Sequence, residues 1–283
     1  MSKFIISGFA DEIDANFMTQ LEGLNKLSIG YIEVRGVNGK NISELNNQEV
    51  KEAKTQLNNY GIKVSAIGSP IGKIKITDDF EAHLETFKRV LETAITLETN
   101  YMRIFSFFMP HEKDPAIYRD EVMLRLQRLK EVNKGSGITL LHENEKDIYG
   151  DIPERCLDIL KTLGGDDFQA VFDPANFIQC GCVVYPNAFD MLKPFIKYMH
   201  IKDALANGEV VPAGYGLGNI ETLLKSLKAS NYEGFVSLEP HLGSFEGLAA
   251  LENTGFADKL EKSGFDKFEL AHQSLVKILE SIA

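Results

Sequence analysis

Four short apolar runs in the second half of the chain end in a side chain that can bind a metal ion. These side chains are Glu143 in ITLLHEN, Asp173 in QAVFDPA, His200 in IKYMHIKD and Glu239 in GFVSLEP. Three carboxylates and one imidazole form a donor set that suits a hard or borderline divalent ion such as Mn, Mg, Co or Zn. Crowded carboxylates repel one another, and a bound cation removes that repulsion while supplying a Lewis acid. The four residues therefore predict a site for one divalent metal ion.

Each of the four residues also has a simpler structural interpretation. An Asp at the end of a strand commonly caps the next helix, a single His is usually a hydrogen-bonded structural residue, and either Glu can form a salt bridge. The metal site is favoured because the four residues stand at equivalent places in four successive units of the chain.

The elements that would position these residues follow one repeating pattern. Amphipathic stretches such as EAHLETFKRVLETAITLE alternate with apolar runs that are typical of strands buried on both faces. The predicted strands are 4–10, 31–37, 63–68, 101–108, 138–144, 169–175, 196–203 and 234–240. Eight such units predict a single-domain α/β fold over residues 1–283, the (β/α)8 TIM barrel, whose active site forms where the strands end. A doubly wound sheet is the alternative, but SGFADEID after the first strand lacks its glycine-rich fingerprint.

The segment 242–265 is the one irregular region of this pattern. It is long for a loop between the last strand and the last helix. We expect a lid or an oligomer contact there, with simple elaboration of the loop as the alternative.

Lys202 is a candidate for substrate binding. It follows His200 by two residues, so on a strand both side chains face the same side. Its ammonium would bind a substrate oxygen or phosphate, or else pair with Asp203 or Glu145.

Four further residues are candidates for substrate contact. Glu33 ends the second predicted strand with Arg35 on the same face, where they would contact substrate or form an ion pair at the bottom of the barrel. Lys73 lies in the loop GSPIGKI, which is otherwise an ordinary Gly/Pro turn. His142 and Asn176, close to predicted metal ligands, complete the set.

A glycine-rich turn precedes the seventh helix. Gly214, Gly216 and Gly218 stand where TIM barrels often bind phosphate. A Gly-x-Gly-x-Gly pattern alone is weak evidence, so a turn without phosphate is the favoured interpretation.

Composition restricts the partners of this chain of 283 residues. Hydrophobic residues make up 44% and charged residues 25%, as in soluble globular proteins. A formal net charge of −11 without a basic run argues against nucleic-acid binding. No stretch approaches the roughly 18 apolar residues of a membrane span, and the N-terminus does not resemble a signal peptide. Three cysteines, an odd number, predict reduced thiols and a cytoplasmic location.

The segments LLHENE, VFDPAN, YMHIKDA and VSLEPHL, in this order and spacing, resemble the sugar phosphate isomerase/epimerase family of the xylose-isomerase-like TIM barrel superfamily. The resemblance implies that Glu143, Asp173, His200 and Glu239 bind the metal. It also implies that Glu143 and Glu239 are the catalytic acid/base pair and that the protein is a homodimer or homotetramer. Ketose 3-epimerases commonly carry His where this chain has Asn176, which weakens the match to them.

The predicted function is a divalent-metal-dependent isomerase or epimerase of a small carbohydrate, a sugar, polyol or sugar phosphate, acting through a metal-bound enediolate. One Glu removes a proton next to a carbonyl and the other returns it. The same proton abstraction would serve a keto-sugar or inosose dehydratase or lyase, and the sequence leaves both open. The alternatives of another class are a metal-dependent phosphodiesterase or endonuclease and a non-catalytic carbohydrate-binding barrel. Endonuclease IV uses three zinc ions and many histidines, and six His in this chain argue against DNA repair.

Overall fold

Eight parallel strands form the centre of the molecule, which is a single-domain TIM barrel. A computed structural model describes residues 3–242 and 264–283. Each strand begins within one residue of its predicted start. The strands are β1 Lys3–Gly8, β2 Tyr31–Val34, β3 Lys63–Ile67, β4 Tyr101–Ile104, β5 Thr139–Glu143, β6 Phe168–Phe172, β7 Ile196–Ile201 and β8 Glu233–Leu238.

The strand order confirms the predicted barrel and excludes the doubly wound sheet. Hydrogen-bonded neighbours follow the order β1-β8-β7-β6-β5-β4-β3-β2, and every pair in this ladder is parallel. The two strands at the ends of this ladder, β1 and β2, lie beside each other, so the barrel is nearly closed. A parallel ladder of sequential strands needs a crossover after each strand, which the helices between them supply.

Helices cover the outside of the barrel. Those in the described residues are α1 Phe17–Lys26, α2 Asn47–Tyr60, α3 Phe80–Thr96, α4 Arg119–Asn133, α5 Pro153–Leu163, α6 Pro174–Gln179, α7 Phe189–Leu192, α8 Ile220–Ala229 and α9 Gly264–Ser281. Each long helix turns an apolar stripe inward. In α3, for example, Leu84, Phe87 and Leu91 are buried. The main hydrophobic core therefore lies between the helices and the outer face of the strands.

The inside of the barrel holds a second, smaller apolar cluster. Leu141 of β5, Val171 of β6 and Tyr198 of β7 belong to it, together with Ala66. Side chains alternate along a strand, so the residue two positions further on points to the same side. For these three strands, that residue is Glu143, Asp173 or His200, at the C-terminal end of the barrel. The apolar cluster is thus the floor on which the polar site stands.

No helix within the described residues is both long and apolar enough to cross a bilayer. The predicted lid or oligomer contact at 242–265 lies almost entirely outside the described residues and stays a prediction.

Candidate metal centre

The four predicted metal ligands come together at the C-terminal end of the barrel. One ligand atom from each of Glu143, Asp173, His200 and Glu239 lies within 4.8 Å of all the others, and all four residues are buried. His200 Nδ1 is 2.9 Å from Glu143 Oε1 and 3.8 Å from Glu239 Oε2. Four successive strands therefore deliver a compact group of three carboxylates and one imidazole.

Asp173 has a structural role in addition to its place in this group. Its Oδ1 accepts a hydrogen bond of 2.9 Å from the backbone N–H of Asn176 and caps α6. The side chain of Asn144 binds the backbone N–H and C=O of Asp173 at 2.9 and 2.8 Å. Because Oδ1 is used by the cap, Oδ2 remains for the site. The capping interpretation and the metal interpretation of Asp173 are thus compatible.

The donor group fits a divalent cation. Among the described residues, Glu143 Oε2 and Asp173 Oδ2 are buried and accept no hydrogen bond. Their close contacts are ionic, to Arg103 Nη1 at 3.2 Å and Lys202 Nζ at 2.9 Å. Buried carboxylates of this kind need a positive partner. Oxygen and imidazole donors of this number and type suit Mn, Mg, Co or Zn.

Glu33 lies behind His200. Its Oε1 is 3.3 Å from His200 Nε2, and both side chains are fully buried. Burial lowers the pKa of His200, but the charges of Glu143 and Glu33 outweigh burial and raise this pKa well above its usual range. A carboxylate at one ring nitrogen of a histidine commonly fixes the proton there and leaves the other nitrogen for a metal. Glu33 thus pairs with His200 next to the site, whereas Arg35, its expected partner in an ion pair at the bottom of the barrel, binds Asp11 and Glu239 instead.

Lys202 points into the site. Its Nζ lies 2.8 Å from Glu239 Oε2 and 2.9 Å from Asp173 Oδ2. The alternative pairing with Asp203 or Glu145 is replaced by these two ion pairs, because the strand alternation that places Lys202 beside His200 also brings it to Asp173 and Glu239.

Arg103 belongs to the site, although it is not among the residues predicted from the sequence. Its guanidinium lies 4.9 Å from the ring centres of both Phe9 and Phe105, and its Nη2 donates to Gly68 O at 3.1 Å. Its Nη1 lies 3.2 Å from Glu143 Oε2 and 3.8 Å from Glu239 Oε1. The sequence pattern could have identified it, because Arg103 is the charged residue inside the apolar run YMRIFSFF. An arginine in a buried strand needs an acidic partner.

The surrounding charges separate the three carboxyl groups by pKa. Burial raises the pKa of Glu143, but His200 and Arg103 outweigh burial and lower it to about 2. For Glu239 burial is likewise outweighed, chiefly by Lys202, and the pKa lies well below its usual range. The pKa of Asp173 is raised to about 7, because burial and the other two carboxylates exceed the effect of Lys202. The two glutamates are therefore the ionised members of the group.

A network of charges lies at the mouth of the barrel. Arg35 binds Asp11 through two nitrogens, at 2.8 and 3.1 Å, and its Nη1 is 3.1 Å from Glu239 Oε1. Glu12 and His241 could form a second cation site with Glu239. Arg35 lies among them, 3.2 Å from Glu12 Oε1 and 3.4 Å from His241 Nε2. The guanidinium is therefore already the cation of this second group.

Lys73 lies at the rim. It pairs with Glu145 at 3.1 Å and lies 4.3 Å above the ring of Phe105. The preceding Gly72 has a φ of +91°, and a Cβ there would lie 2.0 Å from Phe105 O. The close approach of this loop to the segment after β4 requires glycine at that position.

His142 is not brought to the centre. It alternates with Leu141 and Glu143 along β5, so it points out of the barrel, where a Cβ on Gly150 would lie 2.4 Å from its ring. Burial lowers its pKa to about 4 and keeps the ring neutral. Asn176 does reach the centre, since its Nδ2 donates to Glu143 Oε1 at 3.3 Å and to Asn144 O at 2.9 Å.

The glycine-rich turn binds an internal carboxylate. Asp203 Oδ2 accepts the N–H groups of Gly214 and Gly216 at 3.0 Å each, and its Oδ1 accepts that of Gly218 at 2.7 Å. The amides that would cradle a phosphate are thus used by Asp203, in agreement with the favoured interpretation of this turn.

The family of this barrel follows from a match to one family model. The family model of the xylose isomerase-like TIM barrel matches residues 22–260. The chain belongs to this family. Among curated proteins, no match is found for this xylose isomerase-like barrel.

Solved structures with the same fold cover nearly the whole chain. The IOLI protein with a bound zinc atom has 19% identity and a TM-score of 0.78, with 99% of each chain covered. A D-tagatose 3-epimerase-like protein has 16% identity and a TM-score of 0.73, with 99% of this chain and 100% of the other covered. The probable 3-DHS dehydratase AsbF of Bacillus anthracis has 16% identity and a TM-score of 0.73, over 97% and 98%. At these identities the likeness concerns the fold.

Proposed function

We propose that this xylose isomerase-like barrel is a divalent-metal-dependent isomerase or epimerase of a small carbohydrate. The observation that carries the proposal is the pair Glu143 and Glu239. Both belong to the candidate metal group, and surrounding cations hold the pKa of each below its usual range. They come from β5 and β8, three strands apart in the ladder, and so approach the centre from separate sides. Either ionised carboxylate can remove a proton, and the carboxylic acid that is then formed can return one.

In this proposal Glu143, Asp173, His200 and Glu239 hold one divalent ion. When bound, the ion supplies a Lewis acid for the carbonyl and hydroxyl oxygens of the substrate. The zinc atom in the IOLI structure, which has the same fold, supports a metal ion in a barrel of this kind. The choice among Mn, Mg, Co and Zn is left to experiment.

The reaction is a proton transfer between carbons that carry oxygen. One glutamate removes the proton from the carbon next to the carbonyl, and the electron pair moves into an enediolate. In an isomerase the glutamate that is now protonated returns the proton to the neighbouring carbon. In an epimerase its partner first takes up a proton from water and delivers it to the other face of the same carbon, while the first glutamate loses its proton to water. Arg103 and Lys202 lie against the two carboxylates and stabilise negative charge at this place. Five residues are candidates for substrate contact from the sequence: Lys202, Asn176, Glu33, Lys73 and His142. Of these we propose Lys202 and Asn176, whose side chains reach the group of candidate metal ligands.

The test is proton exchange with solvent. The purified protein with added Mn²⁺ is incubated in deuterated water with neutral keto sugars, inososes and their phosphates, and products are followed by NMR. Isomerisation or epimerisation places deuterium on the carbon next to the carbonyl. Loss of water instead identifies a dehydratase, which shares the first step. Absence of both exchange and turnover across the panel would contradict the proposal.

Glu143→Gln and Glu239→Gln test the roles of the two carboxylates. Each change is expected to lower turnover by about 10²–10⁴-fold, the usual contribution of a general acid or base. Glu81→Gln, at an exposed ion pair with Arg128 on the helical surface, is the control and should leave turnover unchanged. Manganese content is measured in every variant, which separates loss of proton transfer from loss of metal. Wild-type turnover in both glutamine variants would show that the assignment is wrong.

A further inference from the structure

The ammonium of Lys202 contacts two of the four candidate ligands at once. Its Nζ donates to Glu239 Oε2 at 2.8 Å and forms an ion pair with Asp173 Oδ2 at 2.9 Å. Only 5% of its side chain is exposed. A buried cation is stable when acidic groups compensate its charge, and these two carboxylates do so here.

The charge of Lys202 is a fixed property of the site. A lysine side chain ordinarily carries a positive charge at neutral pH, and the Nζ of Lys202 lies 2.8 Å from Glu239 Oε2 and 2.9 Å from Asp173 Oδ2. Like charges repel, and the repulsion is strong at short distance in a buried place. A divalent ion at the four ligands and the ammonium of Lys202 thus compete for the same two carboxylates.

We propose that Lys202 is a built-in competitor of the metal ion, which weakens divalent-ion binding and, when the ion takes Asp173 and Glu239, becomes a hydrogen-bond donor to a substrate oxygen. The inference rests on the metal site of the proposed function. It links the two binding events: the ion takes the carboxylates from Lys202, and a hydroxyl or carbonyl oxygen of a carbohydrate offers the ammonium a new partner. Lys202 is then a substrate-binding residue whose first measurable effect is on metal affinity.

Lys202→Met removes the charge and keeps most of the length of the side chain. Metal-stripped protein is titrated with Mn²⁺ alone in a calorimeter, so that no substrate is needed. The variant is expected to bind Mn²⁺ at least about tenfold more tightly than the wild type, because a like charge next to the ion has been removed. Lys202→Gln, which retains a neutral N–H donor for the two carboxylates, should give the same direction and covers a failure of the methionine variant to fold.

Lys130→Met is the matched control. Lys130 is also largely buried and pairs with an acid, Asp167, at 3.2 Å, but it lies at the end of α4 outside the centre. Its replacement should leave the affinity for Mn²⁺ unchanged.

The outcomes separate this inference from the proposed function. Unchanged or weaker Mn²⁺ binding in both Lys202 variants, with clear binding by the wild type, would overturn the competitor role alone. Binding by the variants but not by the wild type would support the competitor role and contradict metal dependence of the wild-type protein. No binding by any form would overturn both.

Discussion

The guanidinium of Arg103 bridges the two glutamates that we propose as acid and base. It contacts Glu143 Oε2 and Glu239 Oε1, whereas His200 Nδ1 faces the other oxygen of each carboxylate. The guanidinium also lies 4.9 Å from the ring centres of Phe9 and Phe105. At the scale of single residues, orientation of the acid/base pair thus depends on a side chain that itself transfers no proton, since an arginine stays protonated in proteins.

Arg103→Met is expected to lower kcat by about 100-fold with little change in KM, because small misplacements of catalytic groups cost about this much. The measurement is steady-state kinetics on the substrate found in the exchange experiment. Arg125→Met is the control, since Arg125 is also buried and lies against Phe80 and Phe107, but on α4 away from the centre. An equal loss of kcat in both variants would indicate a merely structural effect.

At the scale of elements, the turn before α8 is organised by one carboxylate. Asp203 accepts four backbone N–H groups, those of Ala204, Gly214, Gly216 and Gly218. A Cβ on Gly216 would lie 2.3 Å from Asp203 Oδ1. Because Asp203 follows Lys202 directly, this turn also anchors the end of β7 that carries His200 and Lys202.

Gly216→Ala should therefore destabilise the protein by about 1–3 kcal/mol, the usual cost of overpacking. The free energy of unfolding in urea measures the effect. Gly30→Ala serves for comparison, because nothing lies within 4 Å of a Cβ at that position. A wild-type free energy of unfolding in the Gly216 variant would show that the turn can yield without cost.

At the scale of the whole molecule, the metal site joins four strands that are separated in the chain. An ion that binds only the folded barrel stabilises it by mass action, by about 2.7 kcal/mol at a concentration 100 times its Kd. Addition of Mn²⁺ is thus expected to raise the midpoint of thermal unfolding, and EDTA should reverse the change. Asp173→Asn keeps an oxygen that can cap α6 but loses a charged ligand, so it should lose most of this stabilisation. If Mn²⁺ raises the midpoint of thermal unfolding of the asparagine variant as much as that of the wild type, the stabilising ion binds at another site.

Much of the fold and of the centre was predictable because both depend on short-range patterns. The apolar runs located all eight strands, and the start of each agrees within one residue. Alternation along β5 and β7 correctly places Glu143 and His200 on the inner side. The same rule, applied to His142, would have removed it from the list of candidates, since a neighbour of an inward residue points outward.

The sequence by itself determined the barrel and the four side chains that meet at its end, because strand periodicity and strand ends are local properties. Tertiary structure alone decided which cations accompany them. Lys202 meets Glu239, 37 positions away, and Arg35 meets Glu239 across 204 positions. Lys202 and Glu239 follow the neighbouring strands β7 and β8, whereas the contacts of Arg35 and Arg103 with Glu239 depend on the closing of the barrel, which brings the ends of β2 and β4 near that of β8. The hydrogen bonds of Asp203 to the glycine turn and the contacts of Arg103 with the two glutamates also became visible only in three dimensions, because the sequence pattern does not fix which groups a side chain reaches.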